Sequence, residues 1–229
     1  STDTRLIEAS QEATARYGVF TSVSRSYLKL GLYEEVEQLM ERIFDQPVIL
    51  ISRTSLGHIA ALPVITSRED AILLDHYVHT SVRNAADMLK GYGNHVETIR
   101  HNNMNLLEQR IRDLRTKYKR IWYLVDGVYS MHGDTMQSEP LGDLLDRYSS
   151  FHLYVDDAHG MSWTGKHGRG FTLDRMGYHP KMFVISSLAK GFGTGGSVLV
   201  CHDEQVKKKI LAAGAPLIFS GPVSPPTLG

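Results

Sequence analysis

The chain has 229 residues, 42% hydrophobic and 22% charged, enough to bury a sizeable core in one large domain or two small ones. Its 25 basic and 25 acidic side chains cancel, which leaves no basic field for nucleic acid or an anionic membrane, and no apolar run approaches the roughly 20 residues of a membrane span. One cysteine, Cys201, excludes an intrachain disulfide and fits a reducing compartment; with no basic-then-apolar signal pattern at Ser1–Arg5, a cytoplasmic protein is expected.

Leu6, Ile7, Ala9, Ala13 and Tyr17 recur at helical spacing behind Thr2 and Asp3, which predicts a helix over 3–17. A Ser/Thr-rich loop follows at 18–26. A second amphipathic helix, about 32–44, carries Leu32, Val36, Leu39, Met40 and Ile43 on one face. Short apolar runs at 47–52, 71–78, 95–100, 121–126, 151–156, 181–187 and 197–201 read as strands. Segments of helical character at about 55–64, 80–91, 103–119, 139–149 and 203–213 separate most of them. That alternation predicts an α/β fold: a three-layer αβα sandwich with a mainly parallel central sheet. No internal repeat, low-complexity tract or linker-like change of composition divides the chain.

Ligands of open parallel sheets bind beyond the carboxyl ends of the strands. The residues following the predicted strands are Arg53-Thr54-Ser55, His79-Thr80-Ser81, Gly127-Val-Tyr-Ser130, Asp156-Asp157-Ala-His159, and Ser187 with Lys190. Hydroxyls, imidazoles, carboxylates and one amine thus gather on a single rim. Lys190 sits just past an apolar strand and before the glycine loop Gly191-Phe-Gly-Thr-Gly-Gly196. Desolvation there disfavours the ammonium and frees the amine as a nucleophile, the requirement for a Schiff-base lysine.

Other motifs are weaker. Tyr154-Val-Asp-Asp-Ala-His-Gly160 puts a carboxylate at a strand end and an imidazole three residues on. It reads as part of a site, as a turn capped by Asp, or as half of a metal site that needs further ligands. The eleven histidines are dispersed, without metal-ligand spacing. Gly191-x-Gly193-x-x-Gly196 matches a dinucleotide fingerprint literally, but a strand-like segment follows where that motif requires a helix. Its glycines suit the close approach of a flat ligand. Thr54-Ser55-Leu56-Gly57-His58 opens a helix directly after a strand, where free N–H groups and hydroxyls form either a phosphate site or an ordinary N-cap.

Five ordered stretches resemble one enzyme group. They are Asp75-His-Tyr-Val-His79-Thr-Ser, Asp126-Gly-Val-Tyr-Ser-Met-His-Gly133, Val155-Asp-Asp-Ala-His-Gly160, Gly165-Lys-His-Gly-Arg-Gly170 and Ser186-Ser-Leu-Ala-Lys190-Gly-Phe-Gly. The chain resembles the fold-type I pyridoxal-phosphate enzymes (class II aminotransferase-like) and, within them, the α-oxoamine synthases. That group contains the aminooxononanoate, aminoketobutyrate, aminolevulinate and sphingoid-base synthases. The resemblance implies pyridoxal 5'-phosphate held by Lys190, with Asp156 facing the ring nitrogen, His159 and Ser130 on the phenolic oxygen and His79 on the ring face. It implies a phosphate site at Thr54, Ser55, the following N–H groups from Leu56 onward, and the Ser187 hydroxyl. Lys190, His159 and Asp156 are the catalytic candidates.

Some positions depart from the group's pattern. Arg53-Thr54-Ser55 stands for its usual Ser-Gly-aromatic, Asp126 for Glu, Ser187 for Thr and Ala189 for Gly. The expected unit, 1–229, is the cofactor-binding large domain, without the group's N-terminal segment and small C-terminal domain. The expected activity is a decarboxylative condensation of an amino acid with an acyl thioester, from acyl-CoA or acyl-carrier protein, by a homodimer. Transamination or another Cα chemistry is the alternative, and a non-catalytic cofactor-binding or dimerising module a third reading.

Overall fold

The computed structural model describes residues 1–28 and 30–229. Two helices open it, α1 (Thr4–Tyr17) and α2 (Gly31–Phe44). There follow β1 (Val48–Ile51), α3 (Thr54–Ile65), β2 (Asp70–Asp75), α4 (Thr80–Gly91), β3 (His95–Ile99), α5 (Met104–Leu114) and β4 (Arg120–Asp126). The second half contains α6 (Ser138–Arg147), β5 (Phe151–Asp156), α7 (Phe171–Met176), β6 (Met182–Ser187), β7 (Ser197–Val200), α8 (Glu204–Ala213), α9 (Ala215–Phe219) and α10 (Pro225–Leu228). The strands form one sheet in the order β1-β7-β6-β5-β4-β2-β3. Among the described residues, β7 alone runs against its neighbours, antiparallel to β1 and β6; the other pairings are parallel.

Alternate strand residues feed two cores, as the period of a strand dictates. Ala71, Leu73, Tyr123, Val125, Leu153 and Val155 pack with α2, α5 and α6 on one face. Ile72, Leu74, Trp122, Leu124, Tyr154 and Ile185 pack with α3, α4 and α8 on the other. The three-layer sandwich expected from the alternating runs is the architecture observed.

Two boundaries and one helix face differ for local physical reasons. The strand expected over 71–78 stops at Asp75, whose buried carboxylate accepts from Tyr77 N–H at 2.8 Å and turns the chain. The helix expected to reach 119 ends at Leu114, where Tyr118 N–H returns to the Leu114 carbonyl and Lys119 N–H joins Glu69 O on the way into β4. The inward face of α2 is Tyr33, Glu37, Met40 and Phe44, leaving Leu39 exposed. A carboxylate sits in that buried stripe because Arg25 pairs with Glu37 and the Leu50 N–H donates to it at 3.1 Å.

Candidate active site

The strands β1, β2, β4, β5 and β6 share one direction, so their carboxyl ends meet on one rim. Asp126 and Asp156 are register partners at the ends of β4 and β5. Around them lies a cavity of about 170 Å³, lined by Thr54, Ser55, His79, Ser81, Asp126, Asp156, Ala158, His159 and Lys190. Every one of the five strand ends contributes.

Asp156 is buried, yet its carboxyl is held below the usual carboxylate range. Burial alone would raise it. The hydrogen bond and charge of His58, the Ala158 N–H and the Lys190 charge together outweigh that cost. Ala158 N–H donates to Oδ1 at 3.1 Å, and His58 Nε2 meets Oδ2 at 3.1 Å. Asp126 behaves oppositely. Burial and then the neighbouring Asp156 charge push it up to about 8, against the His79 N–H that donates to its two oxygens at 3.2 and 3.1 Å.

Lys190 reaches the cavity from the loop after β6, its Nζ 2.5 Å from His159 Nε2. Desolvation lowers its pKa against the opposing pull of Asp156 and Asp126. Desolvation, then the Lys190 charge, lowers that of His159. Between these two nitrogens one must accept: the imidazole is held below its ordinary value, so the Lys190 ammonium donates and His159 Nε2 accepts. Asp157 turns away from the cavity and accepts from Thr172 N–H at 2.9 Å, tying down the loop that carries His159.

His79 caps α4, its Nδ1 accepting from Ser81 N–H at 3.2 Å, with the Ser81 hydroxyl at 2.7 Å. Thr54 and Ser55 open α3, whose first N–H groups and macrodipole favour an anion. Of the residues singled out from sequence, Thr54, Ser55, His79, Asp156, His159 and Lys190 share the cavity. Leu56, Ser130 and Ser187 lie outside its lining: Ser130 is exposed, and Ser187 is buried with its hydroxyl accepting from Ala189 N–H at 3.2 Å. The glycine loop runs into β7, which excludes the dinucleotide reading of that motif. Among the described residues no cluster of His, Cys, Asp and Glu is arranged to hold a metal.

Two site residues were not foreseen as such, Asp126 and His58. Asp126 had a signal, as the carboxylate at a strand end level with Asp156. His58, wholly buried on an apolar helix, had none. The donor set fits a flat aldehyde that bears a phosphate and a ring nitrogen. It comprises an amine of lowered pKa, an ionised buried carboxylate, imidazoles and two hydroxyls at a helix N-terminus.

Comparisons with known proteins agree with this arrangement. The chain is 28% identical over 226 residues to 8-amino-7-oxononanoate synthase of Alkaliphilus metalliredigens, covering 97% of this chain and 55% of that relative. It is 30% identical to the enzyme of the same name from Fervidobacterium nodosum, covering 98% of this chain and 57% of that one. The chain therefore spans about half the length of the relatives it matches. Among solved structures, serine palmitoyltransferase of Sphingomonas wittichii superposes with a TM-score of 0.89 at 23% identity, over 99% of this chain and 56% of that one. The 8-amino-7-oxononanoate synthase of Francisella tularensis gives 0.78 at 21% identity, over 99% and 62%. Those two likenesses speak for the fold. A family model, aminotransferase class I and II, matches residues 3–228, and with that match the chain belongs to this family.

Proposed function

We propose that residues 1–229 are the cofactor-binding large domain of a pyridoxal-phosphate-dependent transferase that condenses an amino acid with an acyl thioester and releases carbon dioxide. The observation that supports this most is the convergence of Lys190 and Asp156 on one small cavity, fed by five strand ends. The names of the relatives favour acyl transfer over transamination.

When bound, the cofactor supplies a protonated pyridine ring that takes up the electrons left at the amino acid's Cα. Asp156, buried and ionised, would hold the ring nitrogen in its protonated form. Lys190 would hold the cofactor through its amine and would move the proton at the amino acid's Cα, with His159 Nε2 as the adjoining proton acceptor. Thr54, Ser55 and the first N–H groups of α3 would hold the phosphate, and His79 would cover the ring face. The acyl donor is read as acyl-CoA or acyl-carrier protein. A homodimer is read from exposed Val19, Phe20, Val23, Tyr27 and Leu28, which cluster in one segment, and from Phe219, which is 85% exposed.

The test is borohydride reduction of protein incubated with pyridoxal phosphate, followed by peptide mapping. The label is expected on Lys190 and is expected to vanish in Lys190→Ala; a label on another lysine overturns the reading. Amino acid and acyl-CoA are then supplied. Carbon dioxide and free CoA in equal amounts support condensation, whereas a keto acid with no CoA release means transamination.

A further inference from the structure

His58 is the one fully buried histidine of the site's surroundings, on the first turns of α3 and wedged against β5. Its Nε2 lies 3.1 Å from Asp156 Oδ2 and its Nδ1 lies 3.0 Å from the Tyr154 hydroxyl, which is also buried. Tyr154 and Asp156 are two apart on β5, so they stand on the same face of the strand. One imidazole therefore ties two points of a strand to a helix. An ionised carboxylate can only accept, which puts the imidazole proton on Nε2. The bare Nδ1 then accepts from the Tyr154 O–H, and the ring is fixed in both tautomer and rotation.

Position explains why α3 reaches this far. A Cβ on Gly57 would lie 2.3 Å from Ile185 Cδ1 and 3.2 Å from Ile51 Cδ1. The glycine lets the helix close on β6 and β1, which brings the next residue, His58, onto Asp156.

We propose that Tyr154, His58 and Asp156 form a buried relay in which His58 is a positioning residue, orienting the Asp156 carboxylate and keeping it ionised so that its free lone pairs face the cavity. The proposal rests on the pyridoxal-phosphate reading of the site. With Oδ1 engaged by Ala158 N–H and Oδ2 by His58, the carboxylate cannot rotate, and its remaining acceptor sites are directed into the cavity it lines. Among the described residues, the charged or titratable groups around it besides His58 and Tyr154 are Asp126 from β4, Lys190 from the loop after β6, His79 at the start of α4, and Asp157 and His159 from its own loop. Asp126 opposes the charge. Lys190 favours it, but its amine is the group that must be spent on the cofactor. His58 is the supporter that chemistry at Lys190 leaves untouched. A hydrogen bond to a buried charge is worth more than a neutral one, and losing it leaves the acceptor desolvated.

The experiment compares wild type, His58→Phe, His58→Asn, Tyr154→Phe and Asp156→Asn, each reconstituted with pyridoxal phosphate. Two quantities are read: the cofactor dissociation constant from absorbance, and the pH dependence of the bound cofactor's visible band. His58→Phe is expected to weaken binding about tenfold or more and to introduce a spectral titration near neutral pH. His58→Asn, which keeps a donor toward Asp156, is expected to restore most of both. Tyr154→Phe is expected to displace the pH profile in the same direction as His58→Phe, by less, with little change in melting temperature.

If His58→Phe binds and titrates as wild type while Asp156→Asn loses both properties, the relay is wrong and the cofactor reading stands. If Asp156→Asn itself behaves as wild type, the cofactor reading fails and the relay falls with it. Should His58→Phe not fold, Tyr154→Phe decides: a displaced profile supports the relay and an unmoved one overturns it.

Discussion

Asp126 and Asp156 are the same residue type in register on adjacent strands, yet their environments separate them. Asp156 has an imidazole and an amide on its oxygens, whereas Asp126 has the His79 N–H, a carboxylate for a neighbour and the weaker pull of Lys190. The upward shift of Asp126 to about 8, from 3.8, has a consequence for stability. A folded-state pKa above the unfolded one means that the native state retains a proton the unfolded chain releases. That contribution is complete below 3.8 and is lost as pH rises through about 8. Asp126→Asn removes the titration, so its melting temperature is expected to fall less than that of wild type over this interval, as thermal melts across pH will show. Lys190 and Asp156 were legible in the sequence because each ends an apolar run that could only be a buried strand. His58 was not: a histidine amid Leu56, Ile59, Ala60 and Ala61 reads as one more core residue until the chain is folded.

The helix α3 shows how one element depends on a missing side chain. Gly57→Val places branched carbon where Ile185 and Ile51 already stand, and overpacking of this kind costs about 1–3 kcal/mol. The variant is expected to melt lower and, by lifting His58 off Asp156, to bind pyridoxal phosphate more weakly; differential scanning and an absorbance titration measure the two effects. Helices and strands long enough to show a period were found near their true positions. The three short helices α7, α9 and α10 have 6, 5 and 4 residues, too few for a helical repeat to declare itself. The direction of β7 was equally hidden, since Ser197-Val-Leu-Val200 is buried throughout and looks the same run either way. The end of β2 was hidden too, because what stops it is the Asp75 carboxylate, itself held by Tyr123, His101 and the Asn102 N–H from distant segments.

At the level of the molecule, the common direction of β1, β2, β4, β5 and β6 turns five scattered polar motifs into one rim, and this much followed from the alternation of strands and helices. Which residues on that rim touch the cavity did not follow: Ser130 and Ser187 obey the same pattern as Thr54 and His79 but lie outside the lining. In the dimer proposed above, a second copy would cover the exposed apolar segment from Val19 to Leu28, where Phe20 packs beneath Gly221 near Phe219. The double variant Phe20→Ser, Phe219→Ser is expected to sediment at half the mass of wild type; equal masses would count against a dimer through this surface. The two indoles of the chain occupy opposite surroundings. Trp122 is sealed in the sheet, whereas Trp163 stands 65% exposed with its N–H on the carbonyl oxygen of His159 at 2.5 Å. The chain's ultraviolet emission accordingly has a shielded blue component and a solvated red one, and the red one is anchored to the wall of the cavity. A near-ultraviolet chromophore arriving there lies beside Trp163 and four strand residues from Trp122, so it dims both colours and the protein carries its own lamp for watching the site fill.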